Sequence, residues 1–91
     1  MKVYVLAHWW DDDESDGRCV LGVYQDVINA KSEMHRLAQE TKVQCENEFD
    51  ELEWDDCSFV DEMTIYLACG VNDPFVAMKE YGWEISEHLL L

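Results

Sequence analysis

Apolar side chains open this chain at nearly every position. In KVYVLAHWW, residues 2–10, both alternating sets are largely apolar: Val3, Val5, Ala7 and Trp9 on one side, Tyr4, Leu6, His8 and Trp10 on the other. A strand with two apolar faces belongs in the middle of a sheet or under cover on both faces. The polar run DDDESDG cannot continue it. RCVLGVY, residues 18–24, reads as a second strand that returns antiparallel after a long acidic loop. The period then changes. Val27, Ala30, Met34, Leu37, Thr41, Cys45, Phe49 and Leu52 recur at steps of three and four, with Asp26 as a good N-cap and no Gly or Pro between, which predicts one helix over 26–52. EMTIYLAC, residues 62–69, is a third strand. Asp73, Pro74 and Gly82 then predict a short helix over 74–81, and WEISEHLLL a closing strand. The order is ββαβαβ, an α+β fold in which a small antiparallel sheet packs on one long helix within a single domain, 1–91.

The opening MKVYVLAH, the GVY at 22–24, the capped helix carrying A…RLA and the closing WEISEHLLL together resemble a set of small uncharacterised bacterial and phage α+β proteins. The resemblance covers about the first 40 residues and the last 10. It implies an α+β fold and a microbial or phage origin. It carries over no catalytic or binding residue, and the acidic middle of the chain departs from it.

Composition sharpens the picture through charge. Hydrophobic residues make up 48% of the 91 residues, too much for a disordered tail, yet 21 acids stand against six Lys and Arg, a net charge of -15. A folded body therefore carries the charge, on a small core, because a chain this short buries only about 60–65% of the surface its unfolded form exposes. Nucleic acid and anionic membranes are poor direct partners for it; basic proteins and cationic grooves are good ones. The N-terminal stretch has no small-residue cleavage site, and no run reaches the roughly 18 apolar residues of a membrane span, so the expected location is the cytoplasm of a bacterial host cell. Cys19, Cys45, Cys57 and Cys69 show no C-x-x-C pairing, and there they are expected as free thiols.

Motif chemistry is thin. Asp12, Glu14, Asp16 and Gly17 follow the first half of a calcium loop, but its twelfth position is Val23, where a bidentate Glu is required. His8, His35, His88 and the cysteines have no zinc-ligand spacing. A cysteine nucleophile needs positive surroundings, and this chain supplies the reverse field. The expectation is a protein with no metal, no cofactor and no enzymatic activity.

The acidic middle gives the functional lead. Residues 43–78 hold ten Asp and Glu and no Lys or Arg. On a helix continuing to 52, Glu46, Asp50 and Glu53 fall at i, i+4 and i+7 on one face, about 5–6 Å apart along the axis, similar to the phosphate repeat of DNA. Asp55, Asp56, Asp61 and Glu62 extend the field, and Asp11, Asp12 and Asp13 add to it from the hairpin loop. Trp54, inside the cluster, suits an apolar anchor with a charged rim. In size, charge and compactness the chain resembles the small acidic phage proteins that disarm host nucleases by DNA mimicry. This implies an anti-CRISPR or related anti-defence inhibitor whose partner is a basic nucleic-acid-binding protein. The alternative is an acidic adaptor or oligomerising protein without mimicry, with a homodimer open to either, or a domain whose charge serves only solubility.

Overall fold

The computed structural model describes residues 1–11, 15–48, 52–54, 58–71 and 79–90. It is an α+β fold: one helix packed on one antiparallel sheet. The elements are β1 (Lys2–Asp11), β2 (Asp16–Tyr24), α1 (Val27–Glu48), β3 (Leu52–Trp54), β4 (Phe59–Val60), β5 (Thr64–Val71) and β6 (Lys79–Leu89). The long strands lie in the order β2-β1-β6-β5, and the short β3 and β4 pair with separate stretches of β5's outer edge.

The doubly apolar opening is explained by position. β1 is central, hydrogen-bonded to β2 on one side and β6 on the other. Leu6 faces α1, inside a core of Ala30, Met34, Ala38, Ile65, Trp83 and Ile85. Trp9 points the other way. Its ring lies across Gly82 of β6 and reaches Tyr66 of β5, with ring centroids 5.6 Å apart. Trp10 does the same on the helix side, over Gly17 of β2. Each neighbouring tryptophan thus rests on a glycine directly opposite it in the adjacent strand. A Cβ at position 82 would sit 2.0 Å from the Trp9 ring. Gly82→Ala is therefore expected to displace the indole and cost about 1–3 kcal/mol, read as a lower urea midpoint with unchanged slope; an unchanged midpoint would mean that the indole moves aside freely.

Asp26 caps α1 as the sequence implies, its carboxylate accepting the Ile28 N–H at 2.8 Å. The buried stripe is Ala30, Met34, Ala38 and Cys45, while Val27, Leu37 and Thr41 are half-buried at its edge.

Two expectations are corrected. The helix, expected to run to 52, reaches Glu48 among the described residues, and Leu52–Trp54 is a strand. The final turn holds no basic residue, so Glu46 and Glu48 oppose the macrodipole there, and β5 offers Leu52–Trp54 a strand edge instead. The helix expected over 74–81 is strand from Lys79 onward; the rest of that segment lies outside the described residues. Gly82 is no helix stop. It sits inside β6, where both neighbouring strands pair with it. The observed order is ββαββββ.

Candidate acidic interaction surface

The expected acidic row along one helix face does not form. Glu46 lies exposed on α1, whereas Glu53 lies on β3 opposite Gly70, and Asp50 falls outside the described residues, as do Asp12, Asp13, Asp55 and Asp56. Asp61 and Glu62 are exposed in the turn before β5. There the Asp61 carboxylate accepts the Glu62 N–H at 2.6 Å, and the Asp61 N–H donates to the Thr64 carbonyl at 2.8 Å, so Asp61 also shapes the turn. Trp54 is half-buried. Its Nε1–H donates to Glu46 Oε1 at 3.1 Å, and Lys42 Nζ stands 5.7 Å from its ring centroid. This contact ties β3 back to the last turns of the helix.

Part of the small basic complement is engaged within the chain. Arg36 bridges Glu33 and Glu40 on one exposed face of α1, and that contact holds the Glu33 carboxyl below the usual carboxylate range. Lys2 bridges Glu87 at 3.0 Å, joining the start of β1 to β6. These pairs are exposed and add little stability. Their consequence is that Arg36 and Lys2 each neutralise a neighbour locally.

A second acidic group appears that no linear spacing announces. Asp11 pairs with Asp16 of β2 on one side and with Glu80 of β6 on the other. Three carboxylates thus stand in one row across three strands, where direct neighbours are about 4.5–5.5 Å apart and like charges are unfavourable. The next row inward holds Arg18, Trp9, Gly82 and Tyr66, and the Tyr66 hydroxyl donates to Glu80. The three acids, with Trp9, Trp10, Gly17 and Arg18, line a cleft of about 400 Å³ at the end of the sheet. The run DDDESDG was expected to lie wholly outside the strands, yet β1 extends to Asp11 and β2 begins at Asp16; Glu80 falls in a segment expected as helix, and only the strand register brings the three acids to one row.

Cys45, Cys69 and His8 are packed within the fold. Among the described residues Cys19, Cys45 and Cys69 are free, the last two buried. Burial, then the neighbouring Cys45, pushes the Cys69 thiol up to about 11, away from a nucleophile's range. His8 donates Nδ1–H to the Gly82 carbonyl at 2.8 Å and stacks on Trp83 at 4.7 Å. Among the described residues no three His, Cys, Asp or Glu side chains converge as a metal-ligand set. The Cys69 shift has a measurable consequence. An unfolded thiol ionises near 9.0 and the folded one near 11, so the stabilising difference is complete below pH 9 and is lost as the pH rises to 11. Urea midpoints taken from about pH 8 to about pH 11 should fall, and Cys69→Ala should flatten the fall. An identical slope in the variant would place the effect elsewhere.

No protein-family model matches this chain, and no curated protein or solved structure matches it either. The fold and its surface thus define an acidic α+β domain, and function has to be argued from charge and geometry.

Proposed function

We propose that this protein is an inhibitor that binds a basic nucleic-acid-binding protein, such as a nuclease, a CRISPR effector or another DNA-processing factor, by presenting DNA-like charge to its cationic groove. It acts as a binder, not an enzyme, and the setting that fits is a phage-encoded anti-defence role in the bacterial cytoplasm. The supporting observation is linear charge density. The body measures 51 × 21 × 20 Å, so its net charge of -15 amounts to one charge per about 3.4 Å of length, the charge spacing of one DNA strand along the duplex axis. The support lies in this average charge per unit length and not in a helical row of acids. A protein of this shape and charge gains the steering and counterion release that DNA gains in the same groove.

The test is the salt response. Affinity for the captured partner is expected to fall about 10²–10³-fold between about 50 and 300 mM salt if about four charges are neutralised, and duplex DNA should displace the protein. Glu48→Lys with Glu62→Lys should weaken that binding while leaving the fold intact, because removing an acid from the end of α1 relieves the macrodipole by about 0.3–0.5 kcal/mol. A flat salt response, or simultaneous binding of partner and duplex, ends the mimicry reading.

The adaptor or homodimer alternative is favoured by β2. This edge strand leaves Val20 and Val23 64% and 62% exposed. That reading requires salt-insensitive association that duplex does not contest.

A further inference from the structure

The face of the sheet opposite α1 carries a more specific feature than diffuse charge. At the hairpin end, Asp11, Asp16 and Glu80 form the row of carboxylates, and the half-buried Trp9 indole stands one row inward. Adjacent like charges across strands cost stability on their own. Arg18 of β2 supplies one positive charge beside the three acids, leaving the cleft with a formal charge of -2. The ring of Trp9 is held by Gly82 beneath it and Tyr66 beside it, so its orientation is fixed before any ligand arrives. An indole face next to a carboxylate row, in a cleft of about 400 Å³, has the chemistry that selects a planar cation over a solvated metal ion or a neutral group.

We propose that this cleft is a subsite for an arginine guanidinium of the basic partner, which stacks on Trp9 and donates hydrogen bonds to the carboxylates of Asp11, Asp16 and Glu80. The assignment rests on the reading of the protein as a binder of basic proteins and names where one of the partner's cations is gripped. Guanidinium fits better than ammonium because it stacks flat on an indole and donates in parallel to carboxylates, whereas an ammonium is a compact, strongly hydrated point charge. Simple electrostatic attraction to the -15 body would favour neither cation and no particular place.

The experiment needs no natural partner. Uniformly labelled protein is titrated with a hexa-arginine peptide and with a hexa-lysine peptide, and the indole N–H resonances of the tryptophans are followed. Arginine peptide is expected to shift the Trp9 resonance saturably and to bind at least about fivefold tighter than lysine peptide. Asp11→Asn with Asp16→Asn should weaken it by about tenfold, the worth of one charge-assisted contact or more. This double variant removes like-charge repulsion between paired strands, so its melting temperature should not fall. Glu40→Gln with Glu87→Gln removes the same charge at exposed positions outside the proposed binding surface and should weaken binding less than about threefold. Equal losses from the two double variants, equal affinity for the two peptides, or a stationary Trp9 resonance would overturn the subsite. A captured partner that ignores salt and duplex, while the arginine peptide still saturates at Trp9, overturns the mimicry reading and leaves the cleft. Normal salt-sensitive partner binding by the Asp11→Asn, Asp16→Asn variant, without peptide saturation in the native protein, overturns the cleft and leaves mimicry.

Discussion

Replacing Trp83 by alanine is expected to remove about 3–5 kcal/mol of stability, the largest loss of any single truncation in this chain. Trp83 lies in β6 between the other two long inner strands, opposite His8 of β1 and Ile65 of β5. It is 1% exposed, and its ring stacks on His8 at 4.7 Å while it packs with the α1 residues of the core. Truncation empties the layer between sheet and helix at its centre, where three strands would have to shift together to refill it. Native stabilities run at about 0.05–0.15 kcal/mol per residue, so a domain of this size holds about 5–14 kcal/mol and the loss takes a large part of it. For 60–100 residues each kcal/mol moves the midpoint by about 4–8 °C, and a drop of at least about 12 °C should follow. Trp83→Phe fills part of the volume and should lose less. Thermal unfolding followed by far-UV circular dichroism measures both variants. A loss below about 1 kcal/mol for alanine would mean that the indole does not fill the space between sheet and helix.

The strands that carry this core were legible for a physical reason. Alternation with both faces apolar marks a central strand, and β1 is central; the β-rich run at 18–24 is β2, and the third apolar run is β5, displaced by two residues. The helix announced itself by its stripe and by the Asp26 cap. Where the structure departs from the sequence pattern, partners far away in the chain outrank local signals. Pro74 and Gly82 look like the two ends of a short helix, yet Gly82 is needed inside β6 so that the Trp9 ring can lie on the backbone. No Gly or Pro interrupts the apolar period before Leu52. Helix has given way to strand by Leu52, because acids load the C-terminal end of α1 and the edge of β5 takes Leu52–Trp54 as β3.

The candidate site divides along the same line. Charge is a property of composition, so the acidic character was readable at once. Its arrangement was not. The row Glu46, Asp50, Glu53 depended on a helix that has ended before residue 53. The row Asp16, Asp11, Glu80 joins residues up to 69 positions apart and exists only through strand register. Trp54 was picked out as an aromatic among acids, and its bond to Glu46 gives that setting a structural use. Trp9 was one of a pair with no assigned partner. Nothing short of knowing that Gly82 lies opposite could have set it flat beside the carboxylates.

Met34→Ala is expected to cost about 2–5 kcal/mol and to exceed the cost of Leu37→Ala severalfold. The sequence stripe contains both residues and does not rank them. At 100° per residue they lie about 60° apart around the helix axis, and the tertiary contacts decide which points at the sheet. Met34 is fully buried, flanked by Ala30 and Ala38, the small residues that let the α1 backbone approach the sheet. Removing its side chain leaves a void walled by Leu6, Ile65, Trp83 and Ile85, which the neighbouring alanines cannot fill. Leu37 packs at the rim and is half-buried, so water replaces much of what its truncation removes. Met34→Leu, which nearly conserves volume, should cost less than about 1.5 kcal/mol and separates packing from general intolerance at the site. Urea unfolding of the three variants measures the order. Equal losses for Met34→Ala and Leu37→Ala would mean that α1 is rotated on the sheet by about half the angle between them, placing the two side chains symmetrically about the contact line.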